Sequence, residues 1–323
     1  MTGQRDSSLD VMKGILILLV VLNHVTGISN KCGIHNNTFD VLHIIRELYV
    51  PFFMPAFFIV TGICSNFEKP FNSFIWKNFK TIIFPSICIS LVFIILDGNI
   101  EAKKIIKTIL TGGGKWFLCA LFLAKITYWL LNKINNNYII GTILVIMLCI
   151  GVTCVIYELP NYWFYQQALC MTLFLFIGHH YSVTLTKKPY MLTGGYILVL
   201  TLLLCFDMSR PSIVNKLYVS YLSTPSFLFL SVTGSYSLLA ICKKIKHCKL
   251  LEFFGKESLI IYLVHMPILY YVIPLFEKQV SNQDKIGIAL GYYIFFFLFS
   301  CAISVFAALI LRTRYLRFIK GRF

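Results

Sequence analysis

Apolar runs of about twenty residues, separated by short polar stretches, recur along the whole chain. Each is long enough to carry a helix across a hydrocarbon core of roughly 30 Å. The pattern predicts about ten spans, near residues 10–29, 47–67, 81–97, 115–131, 138–156, 165–183, 190–206, 219–241, 258–276 and 287–311. The loops between them are short, no sequence repeat is visible, and no stretch has the composition of a separate soluble domain. The expectation is an all-α polytopic integral membrane protein, with residues 1–323 forming a single membrane domain. Arg5 and Lys13 give the first run the look of a signal peptide, but no convincing small-residue cleavage site follows. It is therefore read as a mature helix.

Composition agrees with this: 58% of residues are hydrophobic and 13% charged, where a soluble domain has about a quarter charged. The formal charge of +16 adds more. Such an excess can mark nucleic-acid binding, but here the basic residues fall in short segments between apolar runs, where the positive-inside effect places them. Nucleic acid is not an expected partner; membrane lipid is. About seventeen Lys and Arg lie on one side: Arg5, Lys69, Lys77, Lys80, Lys133, Lys187, Lys188, a cluster from Lys243 to Lys256, and a tail from Arg312 to Arg322. About ten lie on the other, diluted by acids such as Asp40, Glu47, Asp97 and Glu158. Both termini are thus expected to be cytoplasmic. The eleven cysteines fall singly, with no C-x-x-C pair, so neither a disulfide framework nor a metal site is expected.

Some polar residues are not explained by apolar packing. Lys13 and His24 both lie in "LDVMKGILILLVVLNH", Leu9 to His24. Eleven residues of α-helix turn through about 1100°, which leaves the two side chains only about 20° apart around the axis and about 16 Å apart along it. Asp10 shares that face one turn before Lys13. Two accounts fit: interfacial residues snorkelling to either membrane surface, or functional groups, since ionisable side chains inside a span are costly to bury. In "PFFMPAFFIVTG", Pro51 and Pro55 each remove a backbone donor, which predicts a broken or kinked helix. Lys77 and Lys80 lie one turn apart at the entry of the third span, suited to anchoring or to a polyanionic ligand. Ser258, Tyr262 and His265 follow Gly255 as a polar stripe at helical spacing. Trp116 stands beside a glycine-rich turn. His179 and His180 are read as loop or interfacial residues, and His35, His43 and His247 as loop residues with no metal spacing.

Together these stretches resemble the acyltransferase family 3 membrane proteins, most closely the short fucose 4-O-acetylase-like branch. The resemblance rests on a basic residue, ten residues and His (Lys13 to His24), and on a Phe-x-Met-Pro-x-Phe-Phe-x-x-x-Gly element at Phe52 to Gly62. It continues in the basic pair Lys77 and Lys80, in Trp116-Phe117-Leu118, and in a Gly-x-x-Ser-Leu-x-x-Tyr-Leu-x-His element at Gly255 to His265. The motifs run in order over essentially the whole chain. Two departures stand out: lysines occupy positions where arginine is common, turning bidentate phosphate contacts into point-charge contacts, and Phe53 stands where many members carry His before Met-Pro.

The resemblance implies a multi-pass plasma (inner) membrane O-acyltransferase that needs no metal. It would move an acetyl or other short acyl group from acetyl-CoA or a related acyl-CoA to a hydroxyl of a cell-surface carbohydrate or its glycolipid precursor. His24 would act as general base, Lys13 would bind donor phosphate or stabilise charge near the thioester, and Asp10 would hold Lys13. Lys77 and Lys80 would bind donor phosphate, with Trp116, Ser258, Tyr262 and His265 against the substrate. Ten spans with broken helices and intramembrane charges also suit a transporter or flippase for a lipid-linked glycan or anion, which would consume no acyl-CoA.

Overall fold

The computed structural model describes residues 6–34, 37–98, 100–185, 189–205, 220–281 and 286–313. His35, Lys187, Lys188 and the tail beyond Thr313 lie outside the described residues. Among the described residues the secondary structure is helical throughout. In chain order the helices are α1 (Ser7–Lys31), α2 (Asn37–Glu47), α3 (Val50–Cys64), α4 (Phe71–Asn78), a π-turn (Phe79–Ile83), α5 (Phe84–Leu96), α6 (Ala102–Leu110), α7 (Trp116–Leu131) and α8 (Asn137–Ile156). A 3₁₀ turn (Tyr162–Phe164) leads into α9 (Tyr165–Leu185). It is followed by α10 (Pro189–Cys205), α11 (Thr224–Ile245), α12 (Lys249–Lys256), α13 (Ser258–Leu275), α14 (Glu277–Ser281) and α15 (Ile286–Ile310).

Among the described residues, six of these elements are long and apolar enough to cross a membrane: α1, the continuous α4–π–α5 rod, α8, α11, α13 and α15. The pair α2 and α3, separated at Leu48–Tyr49, would make a seventh if counted as one broken span. α7 and α10 are apolar but shorter. Each of the ten predicted segments overlaps a helix. The break expected from the prolines falls just before them. Pro51 sits in the first turn of α3, where its missing N–H has no intrahelical acceptor to lose, and Pro55 is carried inside the helix. The third segment starts ten residues earlier than predicted, at Phe71. Pro85 would clash with the carbonyl one turn before it, and the widened π-turn immediately ahead of α5 accommodates it.

The described residues divide into two compact units, one from 6–53 with 241–313 and the other from within 54–240. In the first, Asp6 caps α1 by accepting from the Ser8 backbone N–H at 2.9 Å. α1 then packs against α12, α13 and α15. A cluster of Val25, Ile28, Phe39, Leu269, Ile273 and Phe296 forms its apolar core. In the second unit α9 packs against α7 and α8. Gly62 and Gly178 face each other's helices: a Cβ on Gly62 would collide with the Leu175 carbonyl, and one on Gly178 with the Ile59 carbonyl. Small residues of this kind let two helix backbones touch where lipid supplies no hydrophobic drive for association. All eleven cysteines are free thiols.

Candidate active site

The first unit gathers most of the residues singled out in the sequence. α1 is a 25-residue helix, so Lys13 and His24 share one of its faces as the spacing predicts. Asp10 is buried, and its Oδ1 lies 3.3 Å from the half-buried Lys13 ammonium. α12 lies directly over this segment. A Cβ on Gly255 would collide with the Asp10 carbonyl, and one on Gly14 with the Leu251 carbonyl. That mutual contact explains a glycine at 255: any side chain there would push α12 off the Asp10–Lys13 turn.

Further along α1, the His24 imidazole meets His265 of α13, with ring centroids 5.1 Å apart and planes tilted by 42°. The Tyr262 ring lies 5.9 Å from His265. His265 is fully buried, and its Nδ1 is 2.9 Å from the Ile261 carbonyl oxygen. A carbonyl only accepts, so Nδ1 carries the proton and Nε2 is the basic nitrogen of the neutral ring. Ser300 of α15 donates to the His265 carbonyl at 3.4 Å, tying a third helix to this point. Ser258 begins α13, one turn before Tyr262.

Two features of this unit were not singled out in the sequence. Arg46 of α2 donates through Nε to the Asn23 side-chain oxygen at 2.7 Å, placing a guanidinium beside the residue that precedes His24. The buried carboxylate of Glu257, at the joint of α12 and α13, accepts from Arg312 Nε at 2.9 Å and Nη2 at 2.7 Å. Arg312 also covers the Phe253 ring. The sequence reading assigned Arg312 only to a basic tail.

Lys77, Lys80 and Trp116 belong to the second unit. Lys77 is on α4 and Lys80 in the π-turn, where its ammonium lies 4.9 Å from the Trp76 ring. Trp116 opens α7 after the N-cap Lys115, which follows Gly112, Gly113 and Gly114, all with positive φ. These φ values favour glycine. At Gly113 a Cβ would also strike Ser86 of α5, and the Gly113 carbonyl accepts from Ser90 at 3.1 Å. The turn is thus a built joint between α5 and α7, with Trp116 set edge-on against Phe117.

The structure corrects three histidine assignments. His179 and His180 lie inside α9, near its C-terminal end, which removes the loop alternative and leaves the interfacial one. The Tyr128 hydroxyl is 2.9 Å from His179 Nδ1, and Phe67 packs edge-on against both rings. His43 lies inside α2, one turn before the buried Glu47, 3.6 Å from its carboxylate. No group of three or more His, Cys, Asp or Glu among the described residues could hold a metal ion.

Residues 6–310 match the family model described as the acyltransferase domain of the acyltransferase 3 family. The chain belongs to that family. No curated protein and no solved structure matches it. As a member of the acyltransferase 3 family with several membrane-length apolar helices, the protein is a multi-pass membrane acyltransferase, acting on an acyl donor and an acceptor.

Proposed function

We propose that the protein is an O-acyltransferase of about ten spans, folded as one membrane domain, that moves an acetyl or similar short acyl group from acyl-CoA to a hydroxyl of a surface glycan or its lipid-linked precursor. In this reading both termini are cytoplasmic, following the excess of Lys and Arg on that side. The Lys13 end of α1 then faces the compartment that supplies CoA. The observation that carries the reading is the face of α1 that presents Lys13 and Asp10 at one end and His24, packed on His265, at the other.

A sugar hydroxyl is a weak nucleophile near neutral pH. Its proton must leave as the new C–O bond forms and the thioester C–S bond breaks. His24 takes that proton as general base, a contribution typically worth about 10²–10⁴-fold in rate. His265 packs against His24, and Tyr262 packs against His265. Lys13, kept in place by Asp10, is a point charge suited to donor phosphate or to charge near the thioester. About 16 Å of helix axis separates Lys13 from His24, a length of the order of an extended pantetheine arm. Lys77 and Lys80 are further phosphate contacts, and Trp116 and Ser258 substrate contacts.

The test compares surface-glycan mass in cells carrying wild type or His24→Ala at equal membrane expression. An acyl-sized gain that disappears in the variant supports the reading, and its size names the acyl group. No gain in any glycan fraction of the wild type moves the weight to transport of a lipid-linked glycan. Equal gain in both removes His24 as the base.

A further inference from the structure

One end of the second unit carries aromatic residues that the proposed chemistry does not use. Tyr157, the C-cap of α8, is 70% exposed, and Tyr162, which opens the 3₁₀ turn before α9, is 78% exposed. Tyr221, 55% exposed, stands just before α11, and its hydroxyl is 3.0 Å from the Thr153 hydroxyl in the last turn of α8. The Tyr157 backbone N–H donates to the Thr153 carbonyl at 3.0 Å, so both tyrosines are tied to one residue. The loop from Tyr157 to Tyr162 is fixed from within. Gln166 donates to the Leu159 carbonyl at 2.7 Å, and Asn161 donates to the Gln167 side-chain oxygen at 2.8 Å. Trp163 docks on the neighbouring turn: its Nε1 donates to the Leu110 carbonyl at 2.9 Å, and a Cβ on Gly112 would crowd its ring. The turn after α6, the loop after α8 and the segment before α11 thus meet in one place.

This loop is costly to build. Glu158, Trp163 and Phe164 hold φ of 53°, 53° and 57°, a left-handed conformation that crowds Cβ against the backbone and is rare for bulky residues. Such backbone persists only where its surroundings over-determine it, and it clusters at functional sites. Tyrosines that only anchor a protein at headgroup depth need no backbone of this kind. Tyrosines that must keep their faces ready for a ligand do. A sugar ring offers C–H faces that stack on an aromatic ring and hydroxyls that bond to a phenol, and tyrosine supplies both partners at little entropic cost. We infer that Tyr157, Tyr162 and Tyr221 form a carbohydrate-binding platform, which holds the glycan acceptor by sugars other than the one being acylated. The inference rests on the glycan reading above and deepens it, because the acceptor is then recognised as a chain of sugars. In the topology proposed above, all three segments lie on the side away from the cytoplasm, the side on which surface glycan is found.

The full chain in phosphatidylcholine nanodiscs is titrated with two probes: delipidated surface polysaccharide isolated from the cells that make the protein, and coenzyme A. Wild type is compared with the double variants Tyr157→Ser/Tyr162→Ser and Tyr157→Phe/Tyr162→Phe. The expected result is a loss of about tenfold or more in polysaccharide affinity for the serine pair, as for two lost aromatic contacts. The phenylalanine pair, whose faces still stack, keeps most of the affinity. Coenzyme A affinity and melting temperature should match wild type in both variants, because the two rings are exposed. In transfer assays the serine pair should raise the KM for polysaccharide and leave kcat unchanged. Wild-type polysaccharide affinity and KM in the serine pair overturn the inference and leave the glycan reading standing. The same result with a lower melting temperature makes the tyrosines interfacial anchors, which also overturns it. Joint loss of polysaccharide and coenzyme A affinity with a lower melting temperature makes the loop a folding element and overturns it too. Wild type that neither binds nor acylates the polysaccharide overturns both the inference and the glycan reading.

Discussion

The two units differ in how some of their charges are held. In the unit built on α1, α12, α13 and α15, four cations have polar partners: Lys13 with Asp10, Lys256 with Glu252, Arg312 with Glu257, and Arg46 with the Asn23 amide. In the unit built on α4, α5, α7 and α9, Lys77 and Lys125 have no carboxylate among the described residues, and Tyr128 bonds to the neutral side chains of His179 and Asn132. Paired charges fix geometry, which is what a general base needs if it is to stay aimed. On the proposed function, the unit with these paired charges is the one that carries the general base, His24.

That arrangement can be broken at graded cost. The largest effect after loss of His24 itself is expected from His265→Phe, which keeps a ring of similar size against His24 but removes the imidazole and its anchor on Ile261. Acyl-transfer rate should fall about tenfold to a hundredfold through loss of orientation. The donor KM should stay unchanged. A parallel collapse of thermal stability would instead make His265 a packing residue. Next comes Gly255→Leu, which forces α12 away from the Asp10 carbonyl. Overpacking of this kind costs about 1–3 kcal/mol, read as a lower melting temperature, and should reduce transfer because the Asp10–Lys13 turn moves with it. The smallest is Glu257→Gln. It leaves Arg312 with a neutral acceptor, and because Arg312 is half-exposed the expected loss is about 1–2 kcal/mol. Transfer rate at low temperature should be unchanged. If Glu257→Gln proved more damaging to rate than His265→Phe, the paired charges would not be the structural frame supposed here.

The helices were legible because an apolar run in a membrane protein has few other uses. Each predicted segment meets a helix, and the Lys13–His24 face follows from helical arithmetic alone. Short amphipathic elements were missed. α2, α6 and α12 are eight to eleven residues long and carry charges, so they read as loops. The contact between His24 and His265 could not be read, because nothing in either stretch names its partner on the other. Lys125 was passed over for a similar reason: a lone lysine in an apolar run forms no motif, and its place over the Phe74 ring of α4 follows only from the packing of α4 and α7. His179 looked like a helix-end residue because Gly178 precedes it. Gly178 in fact lies at the close approach to α3, which keeps α9 intact and delivers the imidazole to Tyr128. Glycine marks both a helix end and a helix contact, and sequence alone does not separate them.

The most direct test uses the purified full chain in nanodiscs, with coenzyme A affinity and the rate of acyl transfer to an isolated surface glycan measured on the same preparations of wild type and His24→Ala. The account predicts equal affinity in the two and a transfer rate lower in His24→Ala by about 10²–10⁴-fold. Transfer at the wild-type rate in His24→Ala would contradict it, because proton removal would then be served by a group outside the α1 face.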